Sequence, residues 1–231
     1  MSDGEAGRSL TGWLSRVGAS LRGQLEYAEL DHAADGAVHL SKALPRFFAS
    51  MRSRSAPVLL DLGPVVGENV ALLGDLLGCK VHIENVFGSP DRSVRDLRES
   101  EAPLDLPTRF PHPDNSVDGV LCWDVLDYLP QKSADAVVAD LRRMLKPGGV
   151  AMAIFATIRS EFPRYLKYVM IDEQHLCHRS YPAVHGPERI WSSRGVQLLL
   201  AEMEIGESFL LTHRQRETLF HKPLSAASTR R

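Results

Sequence analysis

The residues of this chain best suited to chemistry stand where one local pattern gives way to another. Asp61, Gly63 and Gly67 fall in DLGPVVG, between a short apolar run and a helical one. Glycine in such a turn lets backbone approach a ligand. The first N–H groups of the following helix have no partner inside it and favour polar or anionic groups. Glu84 follows Gly67 by 17 residues, and a carboxylate at that spacing, closing a second strand, can accept both hydroxyls of a ribose. The turn and the acid together describe a site for a nucleoside-containing cofactor. Either alone describes only a turn or a solvated acid.

A second group lies in EFPRYLKYVMIDEQHLCHRSYPAVH, where Tyr168, His175, His178, Arg179 and Tyr181 are side chains able to hold a polar ligand or move a proton. The same stretch brings His175, Cys177, His178 and His185 close in sequence. HLCH lacks the paired spacing of zinc modules and no CxxC or HxxxH accompanies it, so no metal is expected. Asp124 and Asp127 in DVLDYL stand three apart at a helix start and read as capping and dipole partners rather than an acid/base pair. No GxSxG elbow marks a serine nucleophile.

The elements that must position these residues follow from periodicity and breakers. Residues 58–62, VLLDL, form a continuous apolar run, as expected of a strand covered on both faces of a parallel sheet. ENVALLGDLLG places Val70, Leu73 and Leu77 on one helical face and ends at Gly78, a C-terminal cap. KVHIENV reads as a second strand and VDGVLCWD as a later one. SVRDLRES reads as a short helix and residues 101–116 as loop. Ser133 caps a helix burying Val137, Val138, Leu141 and Leu145, stopped by Pro147, Gly148 and Gly149, and GVAMAIFAT is the next strand. A helix over 196–203 and two adjacent runs, SFLLTH and ETLFHK, close the chain as an antiparallel hairpin.

Strands alternating with helices imply right-handed crossovers and a doubly wound, mostly parallel α/β sheet, whose ligands bind at its carboxyl edge. Residues 1–56 read as an N-terminal helical arm, carried by Leu10, Trp13, Leu14, Val17, Leu21 and Leu25 and by a second patch at Leu40, Leu44, Phe47 and Phe48. Residues 57–231 form the α/β domain, with an insert at about 159–187.

Composition bounds the function. The chain has 231 residues, 44% apolar and 24% charged, which excludes fibrous and wholly disordered classes. Its net charge is −2, and residues 57–158 hold 9 bases against 15 acids, a poor match for a phosphate backbone, so nucleic acid is not an expected partner. Three scattered cysteines suit a reducing compartment. The longest apolar run, VAMAIFA, is far short of the ~20 residues of a membrane span, so a cytoplasmic protein is expected.

With these residues in place, the sequence resembles the class I S-adenosylmethionine-dependent methyltransferases, of the small-molecule type. The resemblance rests on VLLDLGPVVG, on Glu84, on FPHPDNSVDGVLCWDVLDYL and on LRRMLKPGGVAMAIF, and covers residues 57–158. It implies a Rossmann-like methyltransferase fold, S-adenosylmethionine as cofactor and a small-molecule acceptor. Asp61, Gly63 and Gly67 would lie under the methionine half of the cofactor and Glu84 would hold its ribose. Cys122 and Trp123 would offer backbone to its amino group. Two departures stand out. Val65, β-branched, replaces the loop's middle glycine, which is costly at positive φ and bulky beside a ligand. No adenine-contacting acid stands out, since Glu101 and Asp105 are no better than their neighbours. A non-catalytic binding or scaffolding protein of the same fold is the alternative. A nicotinamide-dependent oxidoreductase would need a glycine pattern that GPVVG lacks. The sequence identifies neither the acceptor, nor a general base, nor the oligomeric state.

Overall fold

The computed structural model describes residues 36–84, 86, 109–159, 164–182 and 186–224. The chain divides into two compact units, Met1–Ala37 and Val38–Arg231. Of the first, only Gly36 and Ala37 are described. The helical pattern of Leu10 to Leu25, the helix expected at 93–100, and Glu101, Asp105 and His185 lie outside the described residues.

In chain order the elements are β1 (Ala37–Leu40), α1 (Leu44–Arg52), β2 (Val58–Asp61), α2 (Gly67–Leu77), β3 (Lys80–Ile83), β4 (Val117–Trp123), a 3-10 turn (Val125–Tyr128), α3 (Gln131–Met144), β5 (Leu145–Ala156), β6 (Arg164–Met170), β7 (His175–Pro182), α4 (Ser193–Leu199), β8 (Glu204–Leu210) and β9 (Gln215–His221). Six strands form one sheet in the order β3-β2-β4-β5-β9-β8. β2 runs parallel to β3 and β4, and β4 to β5, while β9 is antiparallel to both β5 and β8. This is the doubly wound, mostly parallel architecture that the strand–helix alternation implies, with the expected C-terminal hairpin as its antiparallel edge. The order of strands reverses between β2 and β4, so their carboxyl ends flank the point where such sheets open a crevice for ligands.

β4 explains how the layers pack. All seven of its residues are buried, as in a strand covered on both faces. Leu121 and Trp123 join a cluster with Phe47, Phe48 and Met51 of α1 and Leu73 of α2. Val120 and Cys122 join another with Val137, Val138 and Leu141 of α3. α1 buries Leu44, Phe47, Phe48 and Met51 completely, a single helical stripe in which each side chain contributes about 1.5–3 kcal/mol of transfer free energy. A Cβ on Gly119 would lie 2.4 Å from Met51 Sδ, so the bare backbone of β4 is what lets α1 seat against it. Buried Glu217 of β9 accepts the backbone N–H groups of Lys42 and Ala43, each at 2.8 Å, and anchors the start of α1. α1, whose apolar residues the sequence pattern groups with the arm, thus lies on the sheet.

Two local expectations are corrected, and the insert gains a defined structure. α3 starts at Gln131 behind Pro130, whose φ of −56° sets the helical entry and whose carbonyl accepts Ala134 N–H; Ser133 lies inside the first turn and caps nothing. Pro147, Gly148 and Gly149 do not separate helix from strand, because β5 begins at Leu145. They form an irregularity in which Val117 pairs with Leu145 but Gly119 already with Val150, with Gly148 at φ +71°. The stretch around 164–182 is ordered as a hairpin: β6 and β7 pair antiparallel from Arg164 and Pro182 to Met170 and Leu176, and with β1 they make a separate sheet of order β1-β7-β6.

Candidate functional site

The site is built at the carboxyl ends of β2, β3 and β4. β2 delivers Asp61, buried to 4% exposure. Its Oδ1 accepts the backbone N–H of Gly63 at 2.8 Å and the indole N–H of Trp123 at 2.7 Å. Burial pushes the carboxyl up to about 6, against the pull of those two donors. Trp123 ends β4 at φ +48°. A bulky residue in the left-handed region costs on the order of 1–3 kcal/mol and persists only where its surroundings fix it. Here they are the bond to Asp61 and an indole stacked on Tyr168, with centroids 5.2 Å apart and planes 3° from parallel. A Cβ on Gly63 would lie 2.5 Å from Trp123 Cδ1, so the glycine of this turn is the one on which the indole rests.

On the other side of the turn the site is open. Gly67 begins α2 with no described residue within 4 Å of where a Cβ would stand. Gly78 closes α2 in the left-handed conformation at φ +56°, as the sequence indicates. Glu84 follows β3, and its N–H donates to the Asp61 carbonyl at 2.8 Å, so the two acids end neighbouring strands. The Glu84 side chain is partly exposed and its Oε1 lies 3.0 Å from His112 Nε2. His112 sits edge-on to His82 at 4.9 Å, and burial, followed by the charges of Lys80 and His112, lowers the pKa of His82.

The β6–β7 hairpin is held over the turn by Asn69. This buried side chain accepts the N–H of Met170 at 2.7 Å and donates to the carbonyl of Tyr168 at 2.8 Å, pairing with β6 as another strand would. Val66 of the turn packs on Val169 and Cys177 of the hairpin. Tyr168 is thereby set against Trp123 and into a buried polar chain. Its hydroxyl donates to Asp124 Oδ2 at 3.1 Å and accepts from Gln215 Nε2 at 3.1 Å, and Gln215 Oε1 lies 3.1 Å from His213 Nε2. His178 meets Tyr168 edge-on at 5.0 Å. It clusters with His39 and His213, the centroids 4.3 to 5.3 Å apart. Burial, then the charges of those two rings, lowers His178 to about 3, so it is neutral at physiological pH.

Asp124 is the chemically distinctive member. It is 6% exposed, its Oδ1 has no partner among the described residues, and burial pushes its carboxyl up to about 7, opposed by the Tyr168 hydroxyl. Asp127 accepts Ala156 N–H at 2.7 Å through Oδ2, and its Oδ1 is unpartnered among the described residues; burial raises it well above the carboxylate range. Neither side chain makes a capping bond, which corrects the sequence reading of DVLDYL: Asp124 stands just before the 3-10 turn over Val125–Tyr128 and Asp127 within it, and both are buried.

The remaining residues singled out in the sequence divide between core, site and surface. Cys122 points into the α3-side core with its thiol pKa raised by burial, leaving only backbone toward the sheet edge. Tyr168 and His178 are drawn into the site. His175 pairs with Asp172 in an exposed turn, Arg179 lies 3.3 Å from Glu68 in the first turn of α2, and Tyr181 stacks on Tyr165. Among the described residues no set of three His, Cys, Asp or Glu side chains is placed to share a metal ion. None of the described helices is long and apolar enough to cross a membrane. The sequence reading misses Gln215, His213, His39 and Asn69. Such side chains carry no signal of their own: Gln215, His213 and His39 meet only through tertiary pairing, and Asn69 reaches β6 from α2 in the same way.

Part of the chain is similar in sequence to known proteins. Residues 60–153 match the family model of a methyltransferase domain. Demethylmenaquinone methyltransferase of Desulfitobacterium hafniense (strain Y51) is 32% identical over 105 residues, 43% of this chain and 38% of that protein. The chain therefore spans less than half the length of the curated relative it matches. A SAM-dependent methyltransferase from Aquifex aeolicus superposes with a TM-score of 0.47 at 17% identity, over 77% of this chain and 88% of that one. Burkholderia thailandensis 1,6-didemethyltoxoflavin-N1-methyltransferase, solved with 1,6-didemethyltoxoflavin and S-adenosylhomocysteine, gives 0.47 at 17% identity over 90% of each chain.

Proposed function

We propose that this chain, whose residues 60–153 match a methyltransferase domain, is a class I S-adenosylmethionine-dependent methyltransferase that transfers the methyl group of S-adenosylmethionine to a small-molecule acceptor. The observation that carries this reading is the convergence of Asp61, the Gly63–Gly67 turn and Glu84 at the carboxyl edge, beside the reversal of strand order. The residues present suit the cofactor by charge. Glu84, partly exposed, is available to two ribose hydroxyls. The open N-terminal turn of α2 suits a carboxylate, and Asp61 an ammonium. When bound, S-adenosylmethionine supplies a sulfonium methyl group, an electrophile that needs no further activation by protein. What remains for the chain is to align the acceptor, exclude water and, for a hydroxyl or ammonium acceptor, take a proton.

Asp124 is the base this site offers. Its unpartnered oxygen can receive a proton, its pKa near neutrality suits the exchange, and the Tyr168 hydroxyl steadies the carboxylate. Neutral His178 against Tyr168 adds no competing positive charge.

Calorimetric titration with S-adenosylmethionine and S-adenosylhomocysteine tests the reading, with reduced nicotinamide cofactor as control. Micromolar binding of the first two and none of the third is expected. A folded sample that binds neither at millimolar concentration refutes it.

A further inference from the structure

Trp123 sets a condition on that site which the sequence motif does not carry. Its indole N–H takes Asp61 Oδ1 at 2.7 Å, and its Cδ1 and Nε1 fall 2.5 and 2.8 Å from where a Cβ of Gly63 would lie. The carboxylate and the glycine backbone of the turn are thus engaged by one side chain of the protein. The ring is 3% exposed, packed flat on Tyr168, and held at φ +48°. Among the described residues Glu84 has no such occupant: its neighbour is a histidine at 3.0 Å, and its side chain remains 29% exposed. The ribose end and the turn end of the site therefore differ in how much of the protein must move before a ligand can touch them.

An adenine nucleoside that carries an amino-acid tail has its ammonium and carboxylate at the far end from the base. With its ribose on Glu84, that tail reaches toward the turn, where the anion complementary to an ammonium is Asp61. The indole and the tail then compete for the same carboxylate oxygen and the same space over Gly63. We propose that Trp123 is a tail-discriminating residue. With the indole seated, the site accepts adenine 5′-thioether nucleosides without an amino-acid tail, and it admits the tail only as Trp123 leaves Asp61. This rests on the reading that the site binds S-adenosylmethionine. The strained backbone of Trp123 favours the exchange, since release of the indole lets the residue return to the extended region common to strand ends.

The test is a cycle over ligand tail and indole, which isolates their coupling from general effects of mutation. S-adenosylhomocysteine and 5′-deoxy-5′-methylthioadenosine are titrated calorimetrically into the wild type, Trp123→Ala and Trp123→Phe, each checked for a native thermal transition. Trp123→Ala is expected to tighten S-adenosylhomocysteine at least tenfold and to leave methylthioadenosine within twofold. Trp123→Phe, which keeps the stacked ring and loses the N–H, is expected to show about a threefold selective gain and decides the matter alone if the alanine variant does not fold. Equal changes for both ligands, or weaker binding of S-adenosylhomocysteine, overturn the inference and leave the cofactor reading standing. Absence of binding of either ligand to all three proteins overturns both.

Discussion

Asp61 and Glu84 end adjacent strands and are joined by a 2.8 Å hydrogen bond through their backbones, yet their carboxyl groups live in different media. Asp61 is buried, bonded to Gly63 and Trp123, and raised to about 6. Glu84 is partly exposed beside a single histidine. The sheet sets where a strand-end acid stands; what covers it is decided by neighbours distant in sequence. For Asp61 these are the tip of β4 and, through Asn69, the β6–β7 hairpin. For Glu84 the cover is His112, from the segment before β4.

The comparison breaks first, and by most, through pH. A buried carboxyl with a raised pKa keeps its proton in the folded state at a pH where the unfolded chain has released it. Native protein therefore binds more protons between about pH 4 and 6, and the Asp61 contribution to stability falls as pH rises through that window. Asp61→Asn keeps an acceptor for Gly63 and Trp123 and removes the titration. Denaturant unfolding of both proteins should show the variant gaining on the wild type by up to about 3 kcal/mol between pH 4 and pH 7.5, since each tenfold change in proton affinity is worth roughly 1.4 kcal/mol. A difference that is flat across this range, or that favours the wild type at pH 7.5, would mean that burial does not govern Asp61.

Glu84→Ala is the counterpart at the open end. Loss of a carboxylate that accepts ribose hydroxyls should weaken S-adenosylhomocysteine by about 1–3 kcal/mol, roughly fivefold or more, with the melting temperature almost unchanged, because the side chain is partly hydrated and its partner among the described residues is a histidine. An unchanged dissociation constant removes Glu84 from the site. A large drop in stability would make it a structural acid like Asp61 and erase the contrast.

What is legible in the sequence follows the same division. β2 and β4 announce themselves because a strand covered on both faces must be mostly apolar, and VLLDL and VDGVLCW are, with one aspartate each. Gly78 as a left-handed cap and the final hairpin are legible for similarly local reasons. The β6–β7 hairpin is not. RYLKYVM is only partly buried over its first four residues and fully buried over its last three, so it shows no period of two. That change of environment comes from crossing the mouth of the site and meeting Asn69. Trp123 is legible as a residue near the cofactor loop but not as its occupant. Where the indole goes depends on a φ of +48° that no residue type advertises. Asp124 and Asp127 are visible as a pair but not in their direction, since helix-start acids and inward-facing acids share one spacing.

Val65 supplies the smallest test and sharpens the contrast further. In sequence it is the conspicuous departure from a glycine-rich turn, a β-branched residue where positive φ would be costly. In the structure it is absent from the positive-φ residues and is 58% exposed, so the turn has closed in a geometry that valine tolerates. Val65→Gly then removes no contact with the site, and its main consequence is a more flexible unfolded chain, worth about 0.5–1 kcal/mol of lost stability. S-adenosylhomocysteine affinity should change less than twofold, which calorimetry resolves on the same protein used for the Trp123 series. A tenfold gain at position 65 with none at position 123 would move the obstruction from the buried indole to the exposed valine. The difference between the two ends of the site would then belong to the turn itself rather than to the strand that packs against it.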